Sequence, residues 1–349
     1  MLVLANLFLA FNFIYEGSLW NTDKNRIAPY FNEFQDALTS SEVLYLGDCS
    51  DQFFRPYDAS FQSIAGYLNE ALPNDSVRSV SRDGFHALAY EKLLQRWRKR
   101  DSTTVKTLVV TLNMRSFAPH IRLHKNENTL QRNLTLVERH PPLFNRVEIG
   151  FRAHPYMEAY EMEEALEEAW QQPYPQDEFV HRDFPPGYTP EQFRASLLAN
   201  ATSADDSLMI SSYVEHYGLP LNINEHPLLL AFDNIAAIGA ERYVNVVYVL
   251  LPENSIEARQ YAGDRLADYM EWKREYLVQR YESMGVHVVD VFDLLQPVDF
   301  VEKIPNSHYT AEGRQRIASA IAERIPELPE LLDPDAKDNE SLSNDRIDL

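Results

Sequence analysis

The chain has 349 residues, of which 45% are hydrophobic and 12% aromatic, and its 53 acidic and 32 basic side chains leave a net charge of −21. It can bury a real core, so global disorder is excluded, and its acidity repels phosphates, against a nucleic-acid or anionic-lipid surface. A single cysteine excludes a disulfide framework and a cysteine-based zinc site, and no GxGxxG or GxxxxGK[ST] loop is present.

Residues 1–15, MLVLANLFLAFNFIY, are apolar and uncharged. They fall short of the about 20 residues of a membrane span and lack a basic n-region and a cleavage site. A shortened anchor or signal segment, a buried first helix or strand, and a peripheral hydrophobic hairpin are the three readings. Residues 17–42 carry Ile27, Tyr30, Phe31, Phe34 and Leu38 at helical spacing. Short apolar strands follow at Val43–Leu46, Val77–Val80 and Thr107–Leu112, with helices expected over 58–72 and 85–99. The second of these helices ends in the basic run 96–100, which suits a helix C-terminus.

From 114 to 230 the chain is rich in Pro, His and aromatics, with an acidic helix near 157–171, and reads as an inserted lid. A fourth strand is expected at 245–251, a long helix at 256–284, a fifth strand at 286–292 and a closing helix at 311–324. The acidic tail from Asp333 reads as disordered. Strands alternating with helices predict a three-layer α/β/α sandwich with a five-stranded parallel sheet over 21–332. Such sheets bind ligands at the carboxyl ends of their strands.

Two of those ends carry reactive side chains. Leu46-Gly47-Asp48-Cys49-Ser50 places a thiol where a helix begins, which favours the thiolate; a buried core cysteine is the alternative. His308 lies in Asn306-Ser307-His308-Tyr309-Thr310, just before the last helix, with Thr310 as a fair N-cap.

These segments, with Gly84 after the second strand and Asn113 after the third, resemble the four blocks of the SGNH/GDSL hydrolase family, in order and in strand position. The resemblance covers 43–117 and 244–325. It implies a flavodoxin-like sandwich of SGNH-hydrolase type and an acyl-enzyme mechanism without a cofactor. The roles fall on Cys49 as nucleophile after Asp48 and on His308 as base. Gly84, Asn113 and the Cys49 backbone fall in the oxyanion hole.

Two positions depart from the family: Cys49 replaces serine, and Pro305 stands three residues before His308, where an aspartate is usual. A thiol beside an imidazole can ionise without that carboxylate, and Glu302 or Asp299 could replace it. Loss of hydrolysis, leaving a carbohydrate- or partner-binding protein, is one alternative, and Ser50 as nucleophile is another. Arg115 could bind a substrate carboxylate or phosphate or pair with nearby acids. His120, His124, His140 and His154 lack metal-ligand spacing, so no metal is expected. The sequons at Asn74, Asn133 and Asn200 carry little weight. The expected substrate is a small-molecule or carbohydrate ester. The apolar N-terminal segment, 1–20, suggests a membrane tether and an extracytoplasmic or membrane-anchored location, the other option being cytoplasmic.

Overall fold

The computed structural model describes residues 2–97, 103–122, 133–137, 142–151, 155–175, 184–329 and 331. The acidic tail, His124, His140, His154 and residues 98–100 of the basic run lie outside the described residues.

Three helices lead in: α1 (Leu2–Ser18), α2 (Trp20–Ile27) and α3 (Pro29–Ser40). The break between α2 and α3 falls at Ala28-Pro29, where proline opens the new helix as its first residue. Then come β1 (Val43–Gly47), α4 (Cys49–Gln52), α5 (Ile64–Ala71), β2 (Val77–Ser81), α6 (Ala87–Leu94) and β3 (Thr107–Leu112). Helix α5 starts later than the periodicity suggests because Ser63 caps it, its hydroxyl accepting from Gly66 N–H at 2.9 Å. His86 likewise caps α6 and sets its start.

Between β3 and β4 (Asn245–Leu250) lie α7 (Pro119–Arg122), α8 (Pro142–Phe151), α9 (Pro155–Gln171), α10 (Pro190–Leu198), α11 (Ala204–Tyr217) and α12 (Pro227–Glu241). Residue 230 falls inside α12, so the inserted segment runs directly into a helix that packs on α6. Phe193, Ile210, Tyr213 and Tyr217 of this segment enter the main core. The chain closes with α13 (Ser255–Ser283), β5 (His287–Asp290) and α14 (Ala311–Arg324). Helix α13 is interrupted at Gly263, whose φ of +78° is left-handed.

All strand pairs are parallel, in the order β2-β1-β3-β4-β5. Side chains alternate across the sheet, as a strand requires. Leu44, Leu46, Leu108, Val110, Val246 and Tyr248 meet α3, α6, α11, α12 and α13 on one face. Val43, Tyr45, Val109, Val247 and Val249 meet α5 and α14 on the other. Both faces are covered, which is why the strands read as continuous apolar runs. The carboxyl ends of β1, β2, β3 and β4 lead into Asp48, Gly84, Asn113 and Glu253.

Candidate active site at the carboxyl edge of the sheet

The site starts from a close approach of backbone. A Cβ at Gly47 would come within 2.7 Å of the Tyr45 ring and of Ser81 Oγ, so only glycine lets β1 end this tightly against β2. Asp48 then caps the short α4: its Oδ1 accepts from Ser50 N–H at 2.9 Å. Its Oδ2 accepts from Asn113 Nδ2 at 2.9 Å. Asn113 in turn accepts from Arg115 N–H through Oδ1 at 3.1 Å. Asp48 and Asn113, both buried, thus join the end of β1 to the end of β3.

Cys49 and His308 line one open pocket of about 340 Å³, together with Asp48, Gln52, Phe53 and Asp83. Gly84, with φ +82°, sits in the turn that presents Asp83, and among the described residues no hydrogen bond links it to Cys49 or Asn113. Ser50 points elsewhere: it is fully buried and its hydroxyl has no hydrogen-bond partner among the described residues. The sequence alternative of Ser50 as nucleophile therefore fails on access.

The expected activation of Cys49 at the helix start is also overturned. Burial pushes the thiol up to about 12 and Asp48 adds to the rise, while Arg115 and a hydrogen bond from Ser307 oppose it. A single helical turn cannot offset the loss of water around the sulfur. The resting side chain is a neutral thiol.

The His308 ring lies flat on Phe53, with centroids 3.7 Å apart and planes 4° apart. Burial, and then the positive charge of Arg115, hold the imidazole below its ordinary value, so it is neutral at pH 7. No hydrogen bond joins the ring to Cys49 among the described residues. Glu302 does not orient the ring either: it accepts from Asn306 Nδ2 at 3.3 Å. Asp299 is occupied by Arg316 and by the Gln296 N–H.

Arg115 does not reach toward a substrate. Its buried guanidinium donates to Ser307 Oγ at 2.5 Å and to the Pro305 carbonyl at 3.4 Å. It clamps the loop that carries His308. Among the described residues no ion pair forms at Arg115, although the charges of Glu253 and Asp48 lie in its field.

Sequence reasoning passed over Ser307, Glu253 and Phe53. Ser307 is fully buried between Arg115 and the thiol, and its position beside His308 was the available signal. Glu253 follows β4 at the carboxyl edge, where such sheets carry chemistry. Burial pushes it up to about 7, against the Arg115 charge and the Tyr217 hydroxyl, which donates to Oε2 at 2.5 Å. Away from these groups, His120 pairs with His216, Nε2 to Nε2 at 3.3 Å.

No family model matches the chain, and no curated protein does. Among solved structures it is similar to a lipolytic protein of the G-D-S-L family from Veillonella parvula, at 11% identity over 82% of this chain and 98% of that one, TM-score 0.36. It is similar to a lipase/acylhydrolase from Enterococcus faecalis, at 10% identity over 84% and 100%, TM-score 0.36. A third match is a mutant acetyl-xylooligosaccharide esterase from Geobacillus, at 9% identity over 84% and 98%, TM-score 0.38. The sheet order and the two helical layers themselves define the architecture, a flavodoxin-like α/β/α sandwich.

Proposed function

We propose that this chain is a divergent SGNH/GDSL-type esterase or acyltransferase that moves a short acyl group of a small-molecule or carbohydrate ester through Cys49. The observation that carries the reading is the convergence of Cys49 and His308, remote in sequence, on one pocket beside the linked Asp48 and Asn113.

The resting pair is neutral, so proton transfer accompanies attack. Neutral His308 takes the thiol proton as the sulfur bonds to the ester carbonyl carbon, whose π pair moves onto oxygen. The Asn113 amide and the backbone N–H groups of Cys49 and Gly84 receive that oxyanion, a few kcal/mol each in such sites. Collapse re-forms the carbonyl and breaks the C–O bond, and the imidazolium gives its proton to the leaving alkoxide. Water or an acceptor hydroxyl then attacks the thioester with His308 as base, and the thiol is restored. His308 must leave its stack on Phe53 or tilt within it; hydrogen bonds of this kind are often made only once substrate is bound.

The test is p-nitrophenyl acetate hydrolysis by wild type, Cys49→Ala, His308→Ala and Ser50→Ala. Cys49→Ala should abolish turnover, His308→Ala should lower it by about 10²–10⁴, and Ser50→Ala should retain it. The acidic limb of the wild-type rate profile should fall below pH 6.5, because His308 is held below its ordinary value of 6.5. Wild type no faster than Cys49→Ala overturns the reading. The flat stack of His308 on Phe53 and the raised thiol favour a second reading in that event, a binding protein built on the same fold.

A further inference from the structure

Helix α1 carries no charged residue over positions 2–15 and leaves Phe11, Phe13 and Ile14 exposed at 62%, 80% and 59%. It is not a loose end. Asn12 is turned inward, where its Oδ1 accepts from Leu143 N–H at 3.0 Å and so caps the start of α8. Tyr15 donates to Asp23 at 2.8 Å, and Arg146 of α8 donates to the same carboxylate at 3.0 Å. The two helices are fastened on their polar sides, and α8 carries exposed Phe144 and Val147 of its own.

The place of this face in the fold follows from α3. Glu33, one turn into α3, holds Arg82, which follows the carboxyl end of β2, and Tyr30 packs on Phe85. The start of α3 therefore lies at the carboxyl edge, where the pocket opens, and α2 and then α1 pack before it in turn. The pocket loops carry exposed apolar side chains as well, Tyr57 at 76% and Val298 at 80%. Directly after α1, Trp20 and Lys24 sit together, the ammonium 5.0 Å from the ring centroid, with Arg26 following. An apolar face edged by tryptophan and basic side chains is the pattern of a helix lying in a bilayer interface. No helix among the described residues is long and apolar enough to cross a membrane.

We infer that α1 and α8 form a monotopic docking face that rests in the interface of a lipid bilayer and turns the pocket edge toward that surface. Docking itself does not rest on Cys49 acting as a nucleophile.

Flotation of the full chain with phosphatidylcholine vesicles tests this, comparing wild type with the triple variant Phe11→Glu, Phe13→Glu, Ile14→Glu and with the single Phe13→Ser. Thermal melting checks that the variants fold, and sedimentation velocity without lipid reads the oligomeric state. Wild type should float, the triple variant should bind about tenfold less, and Phe13→Ser should fall between them. Wild type that stays unbound overturns the inference, as does equal flotation of all three. A wild-type dimer that fails to float and becomes monomeric in the triple variant also overturns it, assigning the face to a second copy. Turnover of a soluble ester should be the same in all three proteins, so failure of docking and failure of the acyl-transfer reading are separate results.

Discussion

At the scale of single residues, the site is governed by what surrounds the sulfur. Arg115 donates to Ser307 Oγ, so the Ser307 proton is left for the Cys49 thiol. That donor and the guanidinium charge are the influences that lower a thiol raised by burial. Ser307→Ala should therefore raise the thiol further and slow iodoacetamide alkylation several-fold at pH 8. The single cysteine makes that rate unambiguous; an unchanged rate would remove Ser307 from the site. Glu253 supplies a second test. Its folded-state value of about 7 lies above the ordinary 4.5. From roughly pH 4.5 to 7 the folded chain keeps a proton that the unfolded chain releases. Stability from this group is full below that window and lost as pH rises through it, up to about 1.4 kcal/mol per pH unit. Glu253→Gln keeps the shape without the titration. Its melting temperature relative to wild type should climb from pH 5 to 7.5, and a constant difference would contradict the raised value.

At the scale of elements, Arg314 near the start of α14 holds the pocket wall. Fully buried, it donates to the carbonyls of Phe53, Ser60, Gln62 and Tyr309 and pairs with Asp58 at 3.2 Å. It thereby fixes the loop carrying Phe53 against the loop carrying His308. Arg314→Ala strips four buried carbonyls of this donor and leaves Asp58 to Arg55 alone, and each buried acceptor left unsatisfied costs about 1–3 kcal/mol. A urea melt showing less than about 1 kcal/mol lost would mean the loops hold without it. Nothing in the sequence singles Arg314 out, since a basic residue on a helix next to solvent-facing Gln315 and Arg316 looks like surface. The five strands were legible because a sheet buried on both faces imprints β-branched and apolar runs. The Cys49 and His308 ends were legible because reactive side chains beside glycine or before a helix stand out locally. The thiol's raised state was not, because burial is a property of the whole packing around α4. Nor was the inward turn of Arg115, which depends on a loop nearly two hundred positions away. The packing of Tyr213 and Tyr217 into the main core was equally hidden, since their helix α11 lies within the segment that reads as an inserted lid and its partner α13 follows only after β4.

At the scale of the whole molecule, two opposed features act on any contact with a lipid surface. A net charge of −21 repels anionic surfaces, while the uncharged outer side of α1 and its Trp20–Lys24 border favour a lipid interface. The field of the whole chain reaches as far as the screening length, about 30 Å at 0.01 M salt and about 3 Å at 1 M. The apolar contact is short-ranged and hardly screened. Exchanging half of the phosphatidylcholine for phosphatidylglycerol should therefore weaken vesicle binding at low salt, and added salt should restore it. Binding that instead strengthens on phosphatidylglycerol and falls with salt would mean that Lys24 and Arg26 dominate over the chain's overall charge. The apolar face of α1 would then be secondary to a local basic contact, and the Phe13→Ser variant would bind such vesicles as well as wild type does.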